Sequence, residues 1–165
     1  MSAGAAGGVS AGAADGALLG LDAGTRRIGV ALAPAGSTLA IPLTVVERSE
    51  DWPGALALLA VDHEAVGVVI GLPLSLDGSE GTAAAAAREF ARVVGERLGL
   101  PVYLVDERLS TVSAGRALRS AGAGGRASRA VIDRSAAAVI LQSYLDRIAA
   151  QGGSPPSDHR EAAGG

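Results

Sequence analysis

The sequence predicts an α/β domain whose five-stranded mixed sheet, a three-strand meander followed by two parallel strands, is flanked by helices. Three observations carry this reading. Three short apolar runs come first, with no helical spacer between them. Two further apolar runs follow, each preceded by a stretch with helical periodicity. Glycine and proline mark most of the boundaries.

Ala17 to Leu21 reads as a buried strand ending at Asp22. Gly24-Thr25-Arg26-Arg27 is a turn, and Ile28 to Ala33 returns as the second strand of a hairpin. Ala40 to Val46 is the third strand. Pro42 has no amide proton to offer a neighbour, which places this strand at an edge. Asp51 stands where a helix cap belongs, with Pro53 in the first turn and Leu56, Leu59 and Ala60 at helical spacing. Ala65 to Ile70 is rich in β-branched residues and suits a strand covered on both faces. It runs into Gly71-Leu72-Pro73 and a polar loop, Ser75 to Gly81. Thr82 to Leu98 is a helix with Phe90, Val93, Val94 and Leu98 on one face, and Gly99 ends it. Val102 to Val105 is the fifth strand, ending in Asp106-Glu107-Arg108. Ser110 or Thr111 caps a helix to about Ser120. Ala121 to Ser128 is a glycine-rich loop, and Val131 to Ala149 is a last amphipathic helix. Residues 1–16 and 151–165, rich in small and polar residues, read as disordered tails around a domain at 17–150.

Composition narrows the chemistry. The chain of 165 residues is long enough for one domain with a real core. Aromatic residues make up 2%, so the core is aliphatic. With no cysteine there are no disulfides and no thiolate metal sites. His63 and His159 are too scattered for a histidine-rich zinc site. Any metal is therefore held by oxygen, which favours Mg2+ or Mn2+. Residues 1–16 lack the basic start and apolar stretch of a secretory leader. No uninterrupted apolar run reaches the ~18 residues of a membrane span. A cytoplasmic protein is expected.

Four acidic residues stand out by context. Asp22 ends an otherwise apolar strand, where a carboxylate is costly unless paired, solvated or bound to metal. In a hairpin, an aspartate before Ala-Gly also serves as a simple turn residue. Asp106 and Glu107 follow the apolar Val102–Val105 run and point to opposite sides of an extended chain. One of the pair can face a site while the other meets an arginine or caps the next helix. Asp133 lies early in the last helix, where a carboxylate also suits the helix dipole. Carboxylates from two strand ends and a covering helix can converge at one sheet edge, where such folds bind ligands. Several carboxylates suffice to hold two metal ions for an in-line displacement at phosphorus.

The net charge is −3, so nucleic-acid binding must rest on local charge. All fourteen basic residues are arginine, and six fall between Arg108 and Arg134, with Asp133 the single acid between those two positions. Arg126 and Arg129 sit in or beside the glycine-rich loop. Arg26 and Arg27 sit in the first turn, next to Gly24 and Thr25, whose amides and hydroxyl can meet phosphate. These segments form a phosphate-binding rim around the acids. Ser110 and Thr111 have no histidine near them, which speaks against a serine nucleophile. Trp52, Phe90, Tyr103 and Tyr144 read as single core or surface residues, with no base-stacking platform.

Four motifs then resemble one family in order. Leu21-Asp22-Ala23-Gly24-Thr25-Arg26-Arg27-Ile28-Gly29-Val30-Ala31 is similar to the opening motif of the YqgF family of pre-16S rRNA nucleases, also called Holliday-junction-resolvase-like proteins. Val69 to Gly81, with Gly71-Leu72-Pro73-Leu74 at its start, resembles the second motif. Asp106-Glu107-Arg108-Leu109-Ser110-Thr111 resembles the third, and Ile132-Asp133-Arg134-Ser135-Ala136-Ala137 the fourth. The likeness runs from about Leu18 to Asp146.

The resemblance implies a ribonuclease-H-like fold and a metal-dependent nuclease that trims the 5′ end of 16S rRNA precursor during ribosome biogenesis. It implies Asp22, Asp106, Glu107 and Asp133 as catalytic candidates and Asp22, Glu107 and Asp133 as ligands of Mg2+ or Mn2+, with a two-metal site suspected. Which of Asp106 and Glu107 is the middle acid stays open. Gly24, Thr25, Arg26, Arg27, Arg108, Ser110, Thr111, Arg126 and Arg129 are the substrate-binding candidates. The partner implied is nucleic acid, foremost pre-rRNA and alternatively branched DNA, with the small-subunit precursor as a further partner and a monomer or homodimer as the working unit. A junction resolvase and a non-catalytic nucleic-acid or ribosome-binding factor are the competing readings. Lysines common in the family's basic loop are replaced here by glycine and alanine, which bears on substrate affinity more than on chemistry.

Overall fold

Short apolar runs build the sheet, and the computed structural model describes it over residues 16–109, 126–152 and 160–161. The elements are β1 (Ala17–Ala23), β2 (Arg27–Ala33), β3 (Ile41–Glu47), α1 (Trp52–Asp62), β4 (Ala65–Leu72), α2 (Thr82–Leu98), β5 (Val102–Asp106), a 3-10 turn at Glu107–Leu109, α3 (Arg126–Ala150) and β6 (Arg160–Glu161). The strand order is β3-β2-β1-β4-β5-β6. β1 and β2 pair antiparallel, as do β2 and β3, while β4 runs parallel to both β1 and β5. The meander and the two parallel strands are thus as expected. A two-residue strand is added at the far edge, where Arg160–Glu161 pair antiparallel with Val102 and Tyr103.

β3 is the edge strand that Pro42 implies. The register slips there, with Val30 opposite Thr44 and Ala31 opposite Pro42, so the bulge absorbs the missing donor. α2 ends at Gly99, whose φ of 68° is the left-handed conformation that glycine tolerates at a helix terminus. α3 begins at Arg126, five residues before the expected Val131. Arg126, Ala127 and Arg129 are good helix formers, so the helix extends back to the last glycine, Gly125. The helix expected from Ser110 or Thr111 to Ser120 lies outside the described residues.

Two cores sandwich the sheet. Leu19, Leu21, Val68, Ile70, Leu72, Val102 and Leu104 face α1 and α2, packing on Leu56, Phe90 and Val94. Leu18, Val69 and Val105 face the opposite side, onto Ala137, Ile140, Leu141 and Tyr144 of α3. Burying each such aliphatic side chain contributes about 1.5–3 kcal/mol over leaving it exposed. The aromatics are paired: Trp52 stacks on Phe90 at 4.9 Å and Tyr103 on Tyr144 at 5.3 Å. Among the described residues no helix is long and apolar enough to cross a membrane.

Small residues let α3 settle closely on the sheet. A Cβ built on Gly20 would stand 2.6 Å from Leu141 Cβ and 3.0 Å from the Ala137 carbonyl oxygen, so the helix lies directly on β1 there. Gln142 accepts from the Ala40 amide at 2.9 Å and donates to the Thr38 carbonyl at 3.0 Å, at the edge where β1 begins. Ile140 lies over Gly71. The helix therefore lies across β2 and β1 and reaches β4 at Gly71, near the end of that strand.

Candidate functional site

The parallel strands β1, β4 and β5 bring Asp22, Gly71-Leu72 and Asp106-Glu107 to one edge. On β1, Leu19 and Leu21 belong to the α1/α2 core, and Leu18 to the α3 core. Alternation then turns Asp22 to the α3 side. On β5, Val102 and Leu104 face α1/α2 and Val105 faces α3. Asp106 and Glu107 accordingly part.

Asp106 is held by Arg108. Its carboxylate accepts from Arg108 Nη2 at 2.7 Å, from Nε at 3.1 Å and from the Arg108 amide at 2.9 Å. These hydrogen bonds keep the Asp106 carboxyl below its ordinary range and push the Arg108 guanidinium above its own. Arg108 Nη1 also donates to the Leu76 carbonyl at 3.3 Å, so the pair ties the end of β5 to the loop after β4. That loop is closed on itself by the Ser75 amide on Ser79 O, the Gly78 amide on Ser75 O and the Ser79 amide on Asp77 Oδ1.

Glu107 is buried, with 6% of its surface exposed, and Asp22 likewise, with 3%. They are the only buried charged residues in the described core. The Glu107 carboxylate lies over Gly71: a Cβ there would meet Oε2 at 2.5 Å and Ile140 Cδ1 at 2.8 Å. Leu21 pairs with Ile70, so Gly71 stands beside Asp22 on the next strand, about 4.8 Å away. Gly71 is thus the floor on which one acid rests next to the other.

Asp133 lies in α3, four residues before Ala137. Asp133 therefore lies about one helical turn N-terminal to the Gly20–Ala137 contact. The side chains of Asp133, Arg126 and Arg129 lie outside the described residues, as do Ser110 and Thr111. Among the described residues no three potential metal-ligating side chains group together.

Gly24 and Thr25 form the turn after Asp22. The Gly24 amide donates to Asp22 O at 3.1 Å and Arg27 O at 3.0 Å, and a Cβ on Gly24 would meet Arg27 O at 2.5 Å, so the turn closes only without a side chain. Thr25 and Arg26 are exposed and Arg27 half-buried. Arg48, which no motif marks, is the residue that sequence reasoning missed. Its Nη1 donates to Gly24 O at 2.7 Å, and its guanidinium sits 5.4 Å from the Trp52 ring and 5.1 Å from Phe90. The available signal was the spacing of Arg48 and Trp52 around a helix start.

Comparison with known proteins bears on the family and on the fold. A family model described as RuvX, Holliday junction resolvase, matches residues 16–147. A protein of Thermobifida fusca is 47% identical over 139 residues, covering 79% of this chain and 87% of its own length. One of Cereibacter sphaeroides is 46% identical over 135 residues, 81% and 84% of the two chains. One of Myxococcus xanthus is 47% identical over 130 residues, 78% and 86%. Each carries the name "Putative pre-16S rRNA nuclease". Thermus thermophilus RuvC, solved in complex with a Holliday junction substrate, superimposes with a TM-score of 0.51 over 86% of this chain and 99% of its own, at 17% identity. That likeness is one of fold, the ribonuclease-H-like architecture.

Proposed function

This chain belongs to the RuvX, Holliday junction resolvase, family, and on that premise we propose that it hydrolyses phosphodiester bonds at the edge formed by Asp22, Glu107 and Asp133. The observation that carries the reading is the burial of Glu107 over Gly71, beside buried Asp22. Folding alone does not favour two carboxylates drawn into one strand edge. A glycine that makes room for one of them is a cradle, and an all-oxygen donor set suits Mg2+ or Mn2+. Asp22 and Glu107 are the described donors, and Asp133, about one helical turn before the Gly20–Ala137 contact, is taken as the third. When bound, such cations stabilise the charge that develops on phosphate and activate the attacking water.

The other groups divide the remaining work. Asp106 braces Arg108, which in turn holds the Leu76 carbonyl, and this leaves Glu107 as the middle acid. Arg26 and the amide of Thr25 receive phosphate at the β1–β2 turn. Arg126 and Arg129, in the opening turns of α3, receive it from the other side. Their planar forks match phosphate oxygens. By the name its relatives carry, the substrate is pre-16S rRNA, and our reading is that the cut falls at its 5′ end, in the cytoplasm, during small-subunit assembly.

Branched DNA is the second reading, favoured by the description of the family itself. The test sets labelled precursor RNA beside a four-way DNA junction, with Mn2+, Mg2+ or EDTA, using wild type and Asp22→Asn. Metal-dependent RNA cutting that Asp22→Asn abolishes is the expected result. Paired symmetric cuts in the junction, with the RNA intact, would shift the substrate to branched DNA. Cutting unchanged in Asp22→Asn would overturn the site.

A further inference from the structure

Arg48 has no part in the proposed chemistry, yet it contacts the turn after Asp22 twice. Its backbone amide donates to Arg26 O at 2.9 Å, and its Nη1 donates to Gly24 O at 2.7 Å. Behind it stand Trp52 of α1 and Phe90 of α2, stacked 4.9 Å apart, with the guanidinium 5.4 Å and 5.1 Å from their ring centres. The rings belong to the α1/α2 side of the sheet. The Gly24 carbonyl is therefore pulled towards that side. In a planar trans peptide the N–H points opposite to the C=O. With Gly24 O held by Arg48, the Thr25 N–H of the same peptide points away from that guanidinium.

We propose that Arg48 is the positioning residue of this site: clamped on the Trp52–Phe90 stack, it fixes the Gly24–Thr25 peptide and so sets the direction of the Asp22 carboxylate and of the Thr25 amide. The role rests on the nuclease reading of the Asp22–Glu107 edge. Arginine suits it because one planar group stacks on rings through its face and donates through its edge. Lysine keeps a donor and loses the stacking. Methionine keeps a stem and a sulfur that pack on aromatic rings, and loses every donor.

The experiment uses the full chain as wild type, Arg48→Met, Arg48→Lys and Arg92→Met. Arg92 pairs with Glu89 and Glu96 on the exposed face of α2 and serves as the control. Trp52 is the single tryptophan, so its emission checks that the aromatic stack stays packed in each variant. Two quantities are read: the affinity for Mn2+ alone, and kcat on the precursor RNA. Arg48→Met is expected to weaken Mn2+ binding and to lower kcat by about tenfold each. Arg48→Lys regains part of both, and Arg92→Met matches wild type. Arg48→Met equal to wild type in both, or merely less heat-stable with Mn2+ affinity intact, overturns the proposal. If wild type binds Mn2+ but cuts nothing while Arg48→Met still binds weakly, the nuclease reading falls and Arg48 stands as the positioning residue of a metal site. If wild type neither binds Mn2+ nor cuts, both fall.

Discussion

The carboxylate of Glu107 occupies the space that a side chain on Gly71 would take, with Oε2 only 2.5 Å from the position of a Cβ. The two residues come from the ends of adjacent parallel strands, β5 and β4. Ile140 of α3 closes the same space from above, 2.8 Å from that Cβ. Neither neighbour has an easy way out: Glu107 is buried, and Ile140 is locked in the α3 core.

Gly71→Ala therefore displaces Glu107 before it does anything else. The overpacking costs about 1–3 kcal/mol of stability. A misplacement of about 1 Å at a reacting centre can cost about a hundredfold in rate. We expect Gly71→Ala to remain folded and to lose cleavage on that scale. Gly81→Ala, where a Cβ meets nothing within 4 Å, serves as the matched control and keeps its rate. Equal rates in the two variants would mean that the Glu107 position is irrelevant to the chemistry.

The two acids at the end of β5 should separate cleanly. Glu107→Gln keeps shape and burial and removes the charge, so cleavage should fall to background while the melting curve stays close to wild type. Asp106→Asn breaks the clasp on Arg108, which lies away from the α3 side, so most cleavage should survive while the melting midpoint drops by about 2–4 °C. The reverse pattern, with Asp106→Asn inactive and Glu107→Gln active, would hand the middle acid to Asp106.

The frame of this site was legible in the sequence because it rests on short apolar runs and on strand ends. Asp22 and the Asp106-Glu107 pair each close an apolar run, and parallel strands bring such ends to one edge. What remained open was which neighbour faces the site. That depends on which face α3 covers, and a strand buried on both faces carries no alternation to show it. Arg48 was invisible for a related reason. Its partners are a carbonyl 24 residues away and an aromatic pair drawn from two helices, contacts that only the packed sheet creates. The true start of α3 is hidden because glycines weigh against helix only where they occur, and Arg126 follows the last of them.

Acid should reveal the Asp106 clasp. The hydrogen bonds from Arg108 hold the Asp106 carboxyl below its ordinary value of 3.8. A depressed folded-state value means that the stabilisation is complete above pH 3.8 and is lost as the pH falls through the lower folded value. Arg108→Met should move the Asp106 titration, followed by carboxyl 13C resonances, back up towards 3.8. It should also flatten this part of the acid-induced loss of stability. A titration that does not move would mean that the Arg108 hydrogen bonds do not set the Asp106 charge in solution.

Salt dependence tests the arginines at the start of α3. The chain carries a net charge of −3, so attraction for a polyanion must come from a few local cations. Arg126 and Arg129 lie in the opening turns of α3, N-terminal to Ile140, which sits over Gly71 beside Glu107. Each phosphate contact on single-stranded RNA adds about 0.7 to the slope of log affinity against log salt. Arg126→Ala combined with Arg129→Ala should therefore weaken precursor RNA binding and flatten that slope by about 1.4 if both arginines meet phosphate. Arg92→Met, on the outer face of α2, should leave the slope as it is. An unchanged slope in the double variant would remove the start of α3 from the binding surface and leave the β1–β2 turn, with Arg26 and Thr25, as the phosphate-receiving side.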